Sequence, residues 1–143
     1  MTVAAILAQK DSRVISVSPD THVGDVARVL QENSIGAVLV MEEDSLLGIL
    51  SERGIVRAMA VHRHEVVNMP ARDVLTPPKY TTTVSATIED SMQVMIDGKI
   101  RYLPIFESNK LIGLLSIGDL VAASLRKRQH EASSLTGYIT GSP

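Results

Sequence analysis

The chain has 143 residues, 45% of them hydrophobic and 21% charged, which is too apolar for a disordered segment and is the size of one ordinary globular domain. Lys+Arg 14 against Asp+Glu 16 leave a formal net charge of -2, so composition offers no electrostatic grip on nucleic acid or an anionic membrane. With Cys 0, Trp 0 and Phe 1, disulfides, thiolate metal sites and cysteine nucleophiles are excluded, and no aromatic platform for single-stranded nucleic acid exists.

The opening stretch Met1 to Lys10 has no cationic start and only a short apolar run, so it reads as an N-terminal helix and the cytoplasm is the expected location. No run approaches the roughly 20 apolar residues that span a bilayer. Val14-Ile15-Ser16-Val17 alternates and stops at Ser18-Pro19-Asp20, a short strand and turn, after which Val23, Val26, Ala27 and Leu30 recur at helical spacing. Ala37 to Met41 is a continuous apolar run, Glu42-Glu43-Asp44-Ser45 a turn, and Leu46 to Leu50 a returning strand, so this segment is a hairpin. A helix beginning after Ser51 sets Ile55, Ala58, Met59 and His62 on one face. Arg63 to Pro78 is a connector, with a turn or two of helix at Met69 to Leu75 halted by Thr76-Pro77-Pro78.

The pattern then begins again. At an offset of 65 residues, Val14 to Ala58 align without a gap on Lys79 to Ala123. The identical pairs are Asp25/Asp90, Val29/Val94, Ile35/Ile100, Glu42/Glu107, Leu46/Leu111, Gly48/Gly113, Leu50/Leu115, Ser51/Ser116, Val56/Val121 and Ala58/Ala123, and most other pairs exchange one aliphatic for another. Each copy reads strand, helix, strand, strand, helix. The last helix of the second copy carries Leu120, Val121, Ala123 and Ser124, then a solvated extension around Arg126-Lys127-Arg128 and Glu131, and Thr136 to Pro143 is expected to fray. A copy this short buries too little surface to stand comfortably alone, so the two are expected to pack on each other with pseudo-twofold symmetry. The expected organisation is α/β (α+β): a first repeat with an N-terminal helix over 2–61, a linker over 62–78, a second repeat with a C-terminal helix over 79–130, and a tail over 131–143.

The strand-to-helix junction occurs twice, as Ser51-Glu52-Arg53-Gly54 and as Ser116-Ile117-Gly118-Asp119. Ser with Asp119 three residues on is a capping box, which alone accounts for both residue types. The same junction offers unpaired N–H groups and the positive helix end to a phosphate, with Asp119 placed to accept from two ribose hydroxyls, and its duplication favours that reading. Arg53, Arg57 and Arg101 are candidates to gather at a phosphate, although a solvated helix face accounts for Arg57 equally well. His62 and His64 lack a third ligand at useful spacing, so no metal site is expected. Thr81-Thr82-Thr83 is mostly strand propensity, and Pro104 inside an apparent strand marks an edge or a local break. No Walker-type phosphate loop, G-x-S-x-G elbow or paired metal ligands occur, so no catalytic residue is assigned and an enzyme is not expected.

The ordered set Val14 to Asp20, Ile35-Gly36-Ala37-Val38-Leu39-Val40 and Gly48-Ile49-Leu50-Ser51-Glu52-Arg53, repeated as Ile100 to Ile105 and Gly113 to Asp119, resembles a pair of CBS (cystathionine-β-synthase) domains, a Bateman module, of the stand-alone bacterial type. The likeness spans roughly residues 2 to 127. It implies two tandem β-α-β-β-α repeats and a regulatory module binding adenosine-containing ligands, AMP first, with ADP, ATP, NAD or S-adenosylmethionine as alternatives, in two clefts between the repeats. Carried over residue by residue, the first cleft combines Val14, Ile15, Ser18, Val23, Ile35, Gly36 and Ala37 with Leu114, Ser116 and Asp119, the carboxylate holding the ribose. The second combines Ile49, Ser51 and Arg53 with Lys79, Tyr80, Thr83, Ile88, Ile100, Arg101 and Tyr102. It departs from the family pattern, since Gly54 stands where the ribose carboxylate belongs. The resemblance further implies a homodimer through helices of both repeats, for which Met59 and Met92-Met95-Ile96 are candidate surfaces that the core claims equally. The expected partners are thus an adenine nucleotide, a second copy and an unidentified downstream protein, with no nucleic acid and no membrane. The alternative from another class is an interaction scaffold with degenerate clefts, and after it a small nucleotide-processing enzyme.

Overall fold

The computed structural model describes residues 1–10 and 14–139. Among them the order of elements is helix α1 (Val3–Gln9), strand β1 (Ser16–Val17), helix α2 (Val23–Asn33), strands β2 (Ala37–Glu42) and β3 (Ser45–Ser51) and helix α3 (Glu52–His62). After two short 3-10 segments, Arg63–Asn68 and Ala71–Asp73, come β4 (Thr82–Thr83), α4 (Ile88–Gly98), β5 (Tyr102–Glu107), β6 (Lys110–Ser116) and α5 (Ile117–Ile139). The chain divides into two compact units: Arg13–Lys79, and Met1–Ser12 together with Tyr80–Pro143.

The two units repeat one another closely. Each holds a three-stranded sheet, β1-β2-β3 in one and β4-β5-β6 in the other, in which a two-residue strand runs parallel to the middle strand and the hairpin partner runs antiparallel. The ladder shifts register at Val40/Met41 and again at Ile105/Phe106, the same position of the repeat. Helices α2 and α4 both end on a residue in the left-handed region, Ser34 at φ 52 and Lys99 at φ 53, whose N–H closes the last turn. The first core is Val23, Val26, Leu30, Val38, Val40, Leu50, Val66 and Ala71. The second is Val3, Ile6, Ile88, Met95, Leu103, Ile105, Leu115, Leu120 and Ala123. Both are almost wholly aliphatic, as the scarcity of aromatics requires, and interdigitating branched side chains supply the burial.

Each unit is completed by the chain segment that precedes the other repeat. In one, Val3 N–H donates to Ala86 O (2.9 Å), Ala4 N–H to Val84 O (3.0 Å) and Ile88 N–H to Met1 O (3.2 Å). In the other, Ala71 N–H donates to Thr21 O (2.8 Å), Arg72 N–H to Pro19 O (3.0 Å) and Val23 N–H to Met69 O (2.9 Å). The acceptors and donors of the two sets correspond pair by pair. Leu7 packs over Gly113 as Leu75 packs over Gly48. An Arg72–Asp20 ion pair at 2.6 Å adds to one set.

The N-terminal helix, expected with the first repeat, packs with the second: its apolar side chains Val3 and Ile6 are buried in that core. The 62–78 stretch is not a bare linker either, because Val66 and Ala71 sit in the core of the first. Within the helices, Ala27 is exposed and the buried stripe of α2 is Val23, Val26 and Leu30. On α3, Ile55 and Ala58 pack against the core while Met59 and His62 are exposed, and on α5 Leu120 and Ala123 are buried while Val121 is exposed. The expected tail over 131–143 begins too early: α5 continues through Ile139, a Lys127–Glu89 ion pair at 2.9 Å tying it to α4 on the way. Residues 140–143, the rest of that tail, lie outside the described residues.

Pro104 stands at a local edge, beside the register shift at Ile105/Phe106. It lies in β5, the middle strand, opposite Leu114. Its counterpart Leu39 donates its N–H to Ile15 O at 3.2 Å, whereas β4 pairs with β5 only through Thr82 and Thr83. The missing donor of proline therefore falls beyond the ladder, where a central strand tolerates it.

Candidate functional site

The sites expected from the sequence draw on both repeats, and each unit is taken here by itself. In the unit of the second repeat, β6 runs directly into α5, and the turn between them is a complete capping box. Ser116 Oγ accepts from Asp119 N–H at 3.1 Å, and Asp119 Oδ2 accepts from Ser116 N–H at 2.8 Å. Two otherwise unpaired donors of the junction are thus satisfied. The bland reading of S-x-x-D is realised in full.

A further contact was not foreseen. Lys10, which caps the C-terminus of α1, donates from Nζ to Asp119 Oδ2 at 2.8 Å and to Leu114 O at 2.7 Å. Both side chains are partly buried, at 35% and 22% exposure. Burial pushes the Asp119 carboxyl up, but the bonds from Lys10 and Ser116 outweigh it and hold the group below its ordinary value. Lys10 went unnoticed because it lies outside the aligned repeats, which begin at Val14. The signal that would have found it is the fold's placement of α1 on the second repeat.

The first repeat makes half of the same arrangement. Ser51 Oγ accepts from Gly54 N–H at 3.1 Å, but Gly54 has no side chain to return the bond. At Ile49, counterpart of Leu114, the backbone is bridged on both sides by Thr76: Ile49 N–H donates to Thr76 O and Thr76 N–H to Ile49 O, each at 2.9 Å. The first turn of each second helix is held alike, Glu52 N–H donating to Gly36 O at 3.0 Å and Ile117 N–H to Arg101 O at 2.9 Å.

Among the remaining candidates in the first unit, Val14, Ser18, Arg53 and Lys79 are exposed and Ile15, Ile35, Gly36, Ile49 and Ser51 are partly buried. The Ser18 and Thr21 hydroxyls stand 3.2 Å apart. In the second, Tyr80, Thr83 and Arg101 are exposed and Ile100, Tyr102 and Leu114 partly buried; the Tyr80 ring lies over Gly98, where an added Cβ would come within 2.8 Å. Val23 and Ile88, equivalent first residues of α2 and α4, are core residues with 1% and 2% exposure. Ala37 is buried as well, at the start of β2. Among the described residues no cluster of three or more histidines and carboxylates is placed to hold a metal ion, and no helix is long and apolar enough to cross a membrane.

The exposed apolar side chains concentrate on helices. Val56, Met59 and Val61 are exposed on α3, which has no fully buried residue, and Ile117, Val121 and Leu125 are exposed on α5. Of the methionine-rich stretch in α4, Met95 belongs to the core and Ile96 to the surface.

Comparison with known proteins agrees with this architecture. The CBS domain family model matches twice, at residues 5–61 and 71–126. The chain is 30% identical over 126 residues to the CBS domain-containing protein YhcV of Bacillus subtilis (strain 168), covering 87% of this chain and 88% of that one. It is 30% identical over 127 residues to the mitochondrial CBS domain-containing protein CBSX3 of Arabidopsis thaliana, covering 85% of this chain but spanning only 62% of that relative's length. Among solved structures, the CBS-domain containing protein ATU1752 from Agrobacterium tumefaciens superposes with a TM-score of 0.84 at 31% identity over 87% of this chain and 99% of that one. CBSX2, solved in complex with AMP, superposes with a TM-score of 0.71 at 25% identity over 89% of this chain and 98% of that one. With two matched repeats spanning most of its length, the chain belongs to the CBS-domain family.

Proposed function

We propose that this CBS pair is a non-catalytic regulatory module that senses an adenosine-containing ligand, AMP foremost, with ADP, ATP, NAD and S-adenosylmethionine as the related alternatives. The observation that carries the reading is the junction Ser116-Ile117-Gly118-Asp119. A half-buried, ionised carboxylate stands at the start of a long helix, suited to a ribose diol, at the positive end of the helix, which favours a phosphate. The AMP bound to the related CBSX2 supports the choice of ligand class. Arg53 and Arg101, both exposed, are the proposed phosphate contacts. The junction at Ser51 lacks a carboxylate at Gly54 and is proposed as the weaker of two sites. A second copy of the chain is the proposed partner of the exposed apolar faces of α3 and α5, with the cytoplasm as the place of action.

Isothermal titration of AMP, ADP, ATP, NAD and S-adenosylmethionine tests this. At least one is expected to bind, with no product formed, and Asp119→Ala is expected to weaken it about tenfold to a hundredfold, as the loss of hydrogen bonds to a charged group implies. Silence across the panel at millimolar ligand sinks the sensor and leaves an interaction scaffold; sustained product release makes the protein an enzyme. An Asp119→Ala variant that melts lower but binds equally well reduces Asp119 to a helix cap.

A further inference from the structure

Two of the groups that the second repeat would offer a nucleotide, the Leu114 carbonyl and the Asp119 carboxylate, are both held by one side chain, that of Lys10, at 2.7 and 2.8 Å. The lysine precedes the aligned part of the repeats, which begins at Val14. It is delivered by α1, which is fixed in place by buried Val3 and Ile6 and by the backbone bonds from Val3 and Ala4 to Ala86 and Val84, so the ammonium arrives from an anchored element.

The equivalent position in the first repeat shows what is special here. There the acceptor is Ile49 O, and it is covered by the N–H of Thr76 within a reciprocal two-bond bridge at 2.9 Å. A backbone amide locked on both sides cannot leave without local unfolding. An ammonium on a four-carbon stem leaves by rotation about side-chain bonds, and its release is cheap when the stem already reaches solvent. At Asp119, Ser116 N–H and Lys10 Nζ both fall on the same oxygen, Oδ2. The bond from Ser116 belongs to the helix cap and stays. With both bonds on Oδ2, Lys10 holds one of the two carboxylate oxygens that a ribose diol would use.

We infer that Lys10 is a resident occupant of the carboxylate, which the ribose hydroxyls of a bound nucleotide must displace, so that this lysine sets the affinity of the site and ties its occupancy to the end of α1. The inference rests on the proposed reading of Asp119 as the ribose contact. The charge of the half-buried carboxylate is already balanced at Oδ2, so at that oxygen the ligand gains only the difference between its own hydrogen bond and that of the lysine.

The test is titration of AMP and of its 2′,3′-dideoxy analogue into the wild-type protein, Lys10→Met and Lys10→Gln. Methionine keeps the stem and removes the charge and the donors; glutamine keeps one neutral donor. Lys10→Met is expected to bind AMP about threefold to thirtyfold more tightly, the span between an exposed ion pair and a half-buried charge-assisted bond, with Lys10→Gln between it and wild type. The dideoxy analogue has no hydroxyl to compete for Asp119, and its affinity is expected to stay within about twofold across the three proteins. An unchanged or weaker affinity of Lys10→Met for AMP, where the wild type does bind, overturns the displacement while leaving the sensor reading intact. An equal gain for both ligands overturns it too, since the effect would then not pass through the ribose. If neither wild type nor Lys10→Met binds AMP or any other ligand of the panel, the sensor reading itself fails and this inference falls with it; binding by Lys10→Met alone supports both.

Discussion

Gly48 and Gly113 are identical residues at identical places in the two repeats, yet alanine at each should behave very differently. A Cβ on Gly48 would lie 2.6 Å from the carbonyl oxygen of Thr76 and 2.7 Å from Leu75 Cδ1. That oxygen is backbone and is held in the two-bond bridge with Ile49. Making room means pushing the 75–76 segment off β3, which disturbs two backbone hydrogen bonds at about 0.5–1.5 kcal/mol each and overpacks Leu75, for about 3 kcal/mol in all. A Cβ on Gly113 would meet Leu7 Cδ2 at 3.2 Å and Ile105 Cδ1 at 3.5 Å. Both are ends of rotatable side chains, and alanine is preferred over glycine inside a strand by roughly 0.5–1 kcal/mol, so Gly113→Ala should fall near zero. Urea unfolding measures the two stabilities, and hydrogen exchange at the Ile49 and Thr76 amides reports the bridge directly. Equal destabilisation by the two substitutions, or full protection of both amides in Gly48→Ala, would refute the reasoning.

Gly54→Asp should complete the capping box at Ser51, because its Cβ meets Ser51 Oγ at 3.5 Å and Leu50 Cδ1 at 3.7 Å, ordinary contacts; thermal unfolding should show a gain of about 1 kcal/mol, and titration a tighter second nucleotide. Because the Asp119 carboxyl is held below its ordinary value in the folded chain, the unfolded chain takes up the proton first as pH falls. The stabilisation is therefore whole above the ordinary carboxylate range and is lost below about pH 4, and Lys10→Met should flatten that acid limb in melting curves. Glutamate at Val56 and Val121, equivalent exposed positions of α3 and α5, should convert a dimer to a monomer in sedimentation, and a wild-type monomer would refute the assigned partner. Adenosine and AMP measured against wild type, Arg53→Ala and Arg101→Ala form thermodynamic cycles, in which coupling below about 0.5 kcal/mol would return these arginines to the solvated surface.

The repeat, the order of its elements and the doubled junction are written locally, in the spacing of apolar residues and in Ser51 and Ser116, and could be read from the chain. What could not be read depends on which distant segment meets which. Val3 and Ile6 announce a short amphipathic helix whichever repeat receives it, and nothing in their spacing distinguishes the two. Lys10 is an ordinary surface lysine until α1 is placed, and only then does it face Asp119. Val23 and Ile88 carry the residue type of an adenine wall and of a core equally, and their burial is set by the segments packed on them rather than by their own spacing. Met59 follows Ile55 at helical spacing yet is exposed, so spacing alone does not say how far the buried stripe of α3 extends. Pro104 signals an edge or a break, but that the strand carrying it is the middle one, with a partner β4 only two residues long, depends on pairing with a distant segment.

The segments that complete the units have unequal histories during synthesis. The unit of the first repeat is contiguous, Arg13–Lys79, so its completing segment is made immediately after the strands it covers. The other is split across the chain: Lys10 meets Asp119 across a separation of 109 residues, and Val3 bonds to Ala86. At about 5–20 residues per second of translation, α1 emerges roughly 5–20 seconds before the helix it finally serves, with Val3 and Ile6 uncovered throughout. Nascent chains should therefore reach a stage in which one repeat is finished and the other still lacks its N-terminal piece, and the high contact order of that last closure makes it the slow step of folding. Moving the codons for residues 1–10 to the far end of the reading frame, behind a flexible linker, would shorten that interval.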